Sequence, residues 1–158
     1  MSAIPSAIME RDAVRLFGYK VRESLNRIIE TRIVGKLREE LVERRTKIPG
    51  ASLDGIYLIQ IYEPGGWSQD TPFDNIVGIQ ASAEAALPEG MIEYVLPAGR
   101  YARFVHRGPE SRIAEAYDYI NAQHGPRPVD IEYWPDIQAL EQEDAEIEIY
   151  VPVARASE

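Results

Sequence analysis

The stretch VDIEYWPD, residues 129–136, sets a carboxylate, Glu132, between Ile131 and Tyr133 in a run that otherwise reads as a β-strand closed by Pro135. A charge inside an apolar strand is costly unless it meets water or a partner. Side chains alternate along a strand, so Glu132 shares a face with Asp130 and Trp134, while Val129, Ile131 and Tyr133 share the other. The closing run AEIEIYVPV (145–153) alternates too, with Ala145, Ile147, Ile149 and Val151 on one side and Glu146, Glu148 and Tyr150 on the other. If the apolar sides pack on helices, Glu132, Trp134, Glu148 and Tyr150 collect on the opposite face. Acids interleaved with Trp and Tyr suit an organic cation, because ring faces attract charge and a carboxylate in a partly apolar pocket supplies countercharge. A carboxylate among aromatics can also have a raised pKa and serve as general acid or base. A half-solvated antiparallel sheet with a polar outer face would give the same pattern.

The elements that must position these groups follow one order twice. In the second half, GRYARFVHRG (99–108) reads as a strand and PESRIAEAYDYINAQHG (109–125) as a helix, with Ile113, Tyr117 and Ile120 at helical spacing. VDIEYW and AEIEIYVPV follow as strands. In the first half, AVRLFGYKV (13–21) reads as a strand. ETRIVGKLREELVERRTKI (30–48) carries Ile33, Val34, Leu37, Leu41 and Val42 on one helical face. GIYLIQIYE (55–63) and FDNIVGIQA (73–81) read as further strands. The expected fold is α+β: tandem strand-helix-strand-strand units at about 13–83 and 91–153 in a single domain over 1–158, with pseudo-twofold symmetry and helices on one face of an antiparallel sheet. MIEYVL (91–96) is expected to extend the strand that follows it. GIYLIQIYE takes the place of VDIEYW in the first half, so Tyr57, with Ile59 on its face, is the candidate contribution from that side. A core tyrosine with its hydroxyl at the surface is the alternative. Trp67, in the turn-rich loop 64–72, is a candidate lid or a surface contact.

Composition narrows the function classes. The 158 residues carry a net charge of -9, which disfavours phosphate-neutralising contacts with nucleic acid. The basic run Arg44–Lys47 suits a helix C-terminus. There are no cysteines, which removes disulfides and thiolate metal sites. Two distant histidines, His106 and His124, form no metal-ligand spacing, so no metal and no cofactor are expected. No nucleophile elbow and no phosphate-binding glycine motif is present. No apolar run nears the roughly 18 residues of a membrane span, and the N-terminal residues lack a secretory pattern. The expectation is a cytoplasmic protein with no membrane association.

Four stretches carry a family likeness: MERDAVRLFGYKVR, LPEGMIEYVLPAGRYARFVHRGP, VDIEYWPD and AEIEIYVPV. In that order and spacing the chain resembles the GyrI-like small-molecule-binding domain, which also forms the effector-binding half of AraC-type and BmrR-type regulators. The resemblance implies a ligand pocket along the seam between the two units, lined by aromatics around an acidic residue matched here by Glu132. Trp134, Tyr150, Tyr57, Glu148 and Ile59 are the other expected ligand contacts. Trp134 stands where the family often has a second tyrosine. No helix-turn-helix fits ahead of Ala13, so a stand-alone member without direct nucleic-acid binding is expected. Three roles follow from the resemblance: binding a hydrophobic or cationic drug-like ligand, hydrolysing strained-ring natural products with Glu132 as general acid or base, or engaging a protein partner, as in gyrase inhibition. A homodimer fits any of them. A related fold includes haem-binding proteins, which makes His106 a possible axial ligand; a hydrogen-bonded strand residue is the alternative.

Overall fold

A computed structural model of the chain describes residues 6–62, 68–125 and 127–153. Strands β1 (Ser6–Arg11) and β2 (Val14–Glu23) lead into helices α1 (Leu25–Thr31) and α2 (Ile33–Arg45), then β3 (Ile56–Ile61) and β4 (Phe73–Gln80). The second half runs β5 (Ile92–Leu96), β6 (Gly99–Arg107), a 3-10 turn (Glu110–Arg112), α3 (Ala114–His124), β7 (Val129–Trp134) and β8 (Glu146–Pro152). Strand-helix-strand-strand therefore recurs, and each repeat is preceded by one extra strand. MIEYVL does not extend β6. Pro97 and Ala98 separate it as β5, which pairs with β2 instead.

Local chemistry sets several of these boundaries. The Ser24 hydroxyl accepts a hydrogen bond from the Arg27 amide and caps α1. Arg32, at φ 57°, breaks what would otherwise be one long helix into α1 and α2. Gly125, also at positive φ, ends α3.

All eight strands form one sheet, in the order β1-β6-β8-β7-β3-β4-β2-β5, and every pairing is antiparallel. This order cannot lie flat. β1 stands first and β2 seventh, six spacings apart, or roughly 29 Å in a flat sheet. Yet only Asp12 and Ala13 join them, and three Cα steps span at most about 11 Å. Pro97 and Ala98 impose the same constraint between β5 and β6. The two edges must therefore approach each other, and the sheet curls into a half-barrel.

Curling gives the sheet an inner and an outer face, each with its own apolar cluster. Outside, Leu41 of α2 and Ala116 and Ile120 of α3 bury Ile56, Leu58, Phe104, Trp134, Ile147 and Ile149. Inside, Val14, Leu16 and Leu96 from one edge meet Tyr101 and Tyr150 from the other across Tyr57, Ile59, Ile76 and Ile131. Where β2 crosses β4, Gly18 faces Gly78, and a Cβ on Gly18 would lie 1.8 Å from the Val77 carbonyl oxygen.

Candidate functional site: the tyrosine-lined inner face

Register decides which side chains meet. Tyr150 of β8 lies opposite Ile131 of β7, and Glu148 lies opposite Tyr133. Ile131 in turn faces Ile59, and Tyr133 faces Tyr57. Directly opposed residues project to the same side, so Tyr57, Ile59, Ile131, Tyr133, Glu148 and Tyr150 all line the inner face. Tyr101 joins them from β6, its ring meeting Tyr150 edge-on at 6.5 Å. The rings of Tyr57 and Tyr133 lie 4.7 Å apart.

The inner face also holds charge. The Tyr150 hydroxyl donates to Glu148 Oε1 at 2.5 Å, and Arg103 Nε donates to the same oxygen at 3.2 Å. Burial pushes the Tyr150 phenol up to about 12, helped by the Glu148 carboxylate, while Arg103 and Arg11 act the other way. Arg11, the last residue of β1, reaches across the mouth of the curl. Its guanidinium carbon lies 4.4 Å from the Tyr150 ring centre and 5.9 Å from that of Tyr57. Its Nη2 donates to the Tyr57 hydroxyl at 3.0 Å, whereas Nη1 is buried with no hydrogen-bond partner.

Glu132 and Trp134 lie elsewhere, which corrects the expectation that they share a face with Glu148, Tyr150 and Tyr57. Glu132 faces Ile149 on β8 and Leu58 on β3, so it projects outward beneath the helices. The correction has a simple cause. Alternation within each strand reads true, but the pairing of β7 with β8 matches Ile131 to Tyr150 rather than to Ile149, and a slip of one residue exchanges faces.

In its own surroundings Glu132 is well provided for. Oε2 accepts from the Tyr117 hydroxyl of α3 at 2.7 Å and from Gln60 Nε2 at 3.3 Å, and Oε1 accepts from Trp134 Nε1 at 2.9 Å. Burial raises its pKa to about 7; the Tyr117 and Trp134 hydrogen bonds oppose this, and the nearby Glu110 and Asp130 add to it. Arg38 of α2 stacks 4.6 Å from the Trp134 ring and makes a two-pronged pair with Glu110 at 2.9 and 3.3 Å. The group is a helix-covered polar knot, able to exchange a proton near neutrality, with both oxygens already engaged.

The remaining candidates divide plainly. His106 is buried, and its Nε2 lies 2.9 Å from the Pro109 carbonyl oxygen. Among the described residues, no cluster of acids and histidines could hold a metal ion. Nor is any described helix long and apolar enough to cross a membrane. Trp67 lies outside the described residues. Sequence reasoning missed Arg11, Tyr101, Ile131 and Tyr133 as inner-face residues. The alternation of Ala7, Met9 and Arg11 in β1 held a usable signal, because β1 pairs with β6 and sets Met9 opposite Tyr101.

A curled antiparallel sheet backed by three helices, with an aromatic inner wall, defines an effector-binding domain of the GyrI-like kind. The chain belongs to the family of integron-associated effector-binding proteins, whose profile matches residues 7–153. It is 28% identical over 129 residues to the transcriptional regulator BrlR of Pseudomonas aeruginosa, a match covering 76% of this chain and 46% of that protein. The chain thus spans about half the length of this relative. The fold is shared with an integron cassette protein from the mobile metagenome of Vibrio cholerae, at TM-score 0.67 and 18% identity over 94% of this chain and 95% of that one. It is also shared with SAV2435, solved bound to tetraphenylphosphonium, at TM-score 0.66 and 17% identity over 96% and 94% of the two chains.

Proposed function

We propose that the protein binds hydrophobic organic molecules, cations above all, against the tyrosine-lined inner face of its curled sheet. The observation that carries this reading is the convergence of Tyr57, Tyr133, Tyr101 and Tyr150 from four different strands on a face that also holds the Glu148 carboxylate. Tyrosine rings give a delocalised cation broad stacking surface at small entropic cost, and Glu148 supplies countercharge. The fold shared with a tetraphenylphosphonium-bound protein supports the same ligand chemistry. In this reading Glu132 and Trp134 serve helix–sheet packing and do not touch the ligand.

Calorimetric titration with tetraphenylphosphonium tests it. Tyr150→Ala should weaken binding by about 1–2 kcal/mol through the lost cation–π contact. Glu148→Gln should weaken it by a similar ~1–2 kcal/mol through the lost charge, while a neutral tetraphenyl analogue is nearly indifferent to that change. Glu132→Gln, on the other face, should leave affinity unchanged. Loss of affinity in Glu132→Gln alone would move the site to the helix-covered face and sink the reading.

A further inference from the structure

We propose that Arg11 is a resident cation, holding the seat on the inner face that a cationic effector takes, so that binding expels the Arg11 side chain and frees the end of β1. This rests on the inner-face reading above and adds which ligands win and what moves.

The guanidinium of Arg11 already sits as a bound cation would. It stacks on Tyr150 at 4.4 Å and reaches Tyr57 by ring and by hydroxyl. The Tyr150 hydroxyl beneath it is anchored on the Glu148 carboxylate, so the seat carries its own countercharge. The fit is only partly hydrogen-bonded: Nη2 donates to the Tyr57 hydroxyl, but Nη1 is buried there with no acceptor. A buried donor without a partner is unfavourable. The seat therefore welcomes positive charge but leaves one nitrogen of a guanidinium unpaired. A quaternary ammonium, a phosphonium or a delocalised dye cation has no N–H donor to leave unpaired, and it displaces a guanidinium on those terms.

Displacement is made easy by where Arg11 stands. It ends an edge strand that, among the described residues, pairs with β6 alone, and residues 6–10 of that strand are solvent-exposed. Little packing resists movement of β1, so occupation of the inner face becomes a change at the N-terminal edge of the sheet.

Three measurements decide the matter. Arg11→Ala and Arg11→Gln should each bind tetraphenylphosphonium about tenfold tighter than wild type, the size of one displaced cation–π contact. Saturating tetraphenylphosphonium should speed hydrogen exchange at the amides of residues 7–11 in the wild-type protein. N-ethylguanidinium, a free copy of the lost side-chain tip, should raise the melting temperature of Arg11→Ala and leave wild type unmoved. Equal affinity in the variants overturns the proposal, and weaker affinity does so by making Arg11 a ligand contact. Unchanged β1 exchange in the liganded protein also overturns it. Should wild type and both variants ignore tetraphenylphosphonium, the inner-face binding reading fails by itself. The N-ethylguanidinium experiment then still judges Arg11: a selective rise upholds the cation seat, and no rise removes it.

Discussion

Glu132 and Tyr150 stand one residue out of step across the β7–β8 pair: Tyr150 lies opposite Ile131, and Glu132 lies opposite Ile149. Their side chains therefore leave the sheet on opposite faces. The β7–β8 pair therefore carries a carboxylate–aromatic group on each face. The inner one joins Glu148 to Tyr150, and the outer one joins Glu132 to Tyr117 and Trp134. The outer group is closed by α3 and by the Arg38–Glu110 pair, while the inner group is covered by the Arg11 guanidinium over the Tyr150 ring.

The closed group makes stability depend on pH. Burial lifts the Glu132 pKa from 4.5 to about 7, so between those values the folded state holds a proton that the unfolded state has released. Stability should fall as pH rises through that window, by roughly 3 kcal/mol in all, and level off above it. Glu132→Gln, which stays neutral, should lack this slope and be more stable than wild type at pH 8. Urea unfolding between pH 5 and 8 measures both curves.

A second buried pair supports the start of β7. Arg127 makes a forked contact with Asp130, both side chains being less than a tenth exposed, and the Tyr62 hydroxyl donates to Asp130 at 2.7 Å. Arg127→Met leaves the Asp130 charge buried without its cation and should cost about 3–5 kcal/mol. Arg127→Met combined with Asp130→Leu should recover much of that loss, because a buried ion pair is worth little against apolar packing. Chemical denaturation of the single and double variants gives both values.

The Gly18–Gly78 crossing is a steric requirement of the curl. A methyl at position 18 meets the Val77 carbonyl oxygen at 1.8 Å, and relief requires β2 and β4 to separate. Gly18→Ala should destabilise by about 3 kcal/mol or more, as overpacking of a rigid contact does. Gly78→Ala, whose added Cβ would come no closer than 3.2 Å to the Leu16 Cβ, should cost distinctly less. Thermal melts of the two variants, compared side by side, check the difference.

Much of the fold was legible in the sequence, because hydrophobic period and turn residues are local signals. VDIEYW is β7 from end to end, and the recurring strand-helix-strand-strand order is present. Pairing register is not a local signal. Nothing in VDIEYW or AEIEIYVPV says whether Ile131 lies opposite Tyr150 or Ile149, and that single choice sent Glu132 and Trp134 to the helix side. Of the expected ligand contacts, Tyr57, Ile59, Glu148 and Tyr150 do share a face, because Tyr57 and Ile59 are matched to Tyr133 and Ile131 across β3 and β7. Arg11 was harder to read for another reason: the alternation of its short edge strand is a local signal, but its partners Tyr57 and Tyr150 are brought to it by long-range closure of the sheet.

The strand order β1-β6-β8-β7-β3-β4-β2-β5 is a palindrome of the two halves, with the outer strand on each side borrowed from the other half. β1 precedes the first repeat in the chain yet covers β6 of the second, and β5 precedes the second repeat yet covers β2 of the first. A chain severed within residues 84–90 would yield two fragments, each carrying a strand that only the other can pair and each missing one that only the other supplies. Such fragments are reciprocal donors, and fragment complementation would rebuild the sheet through these two exchanges and the central β3–β7 seam.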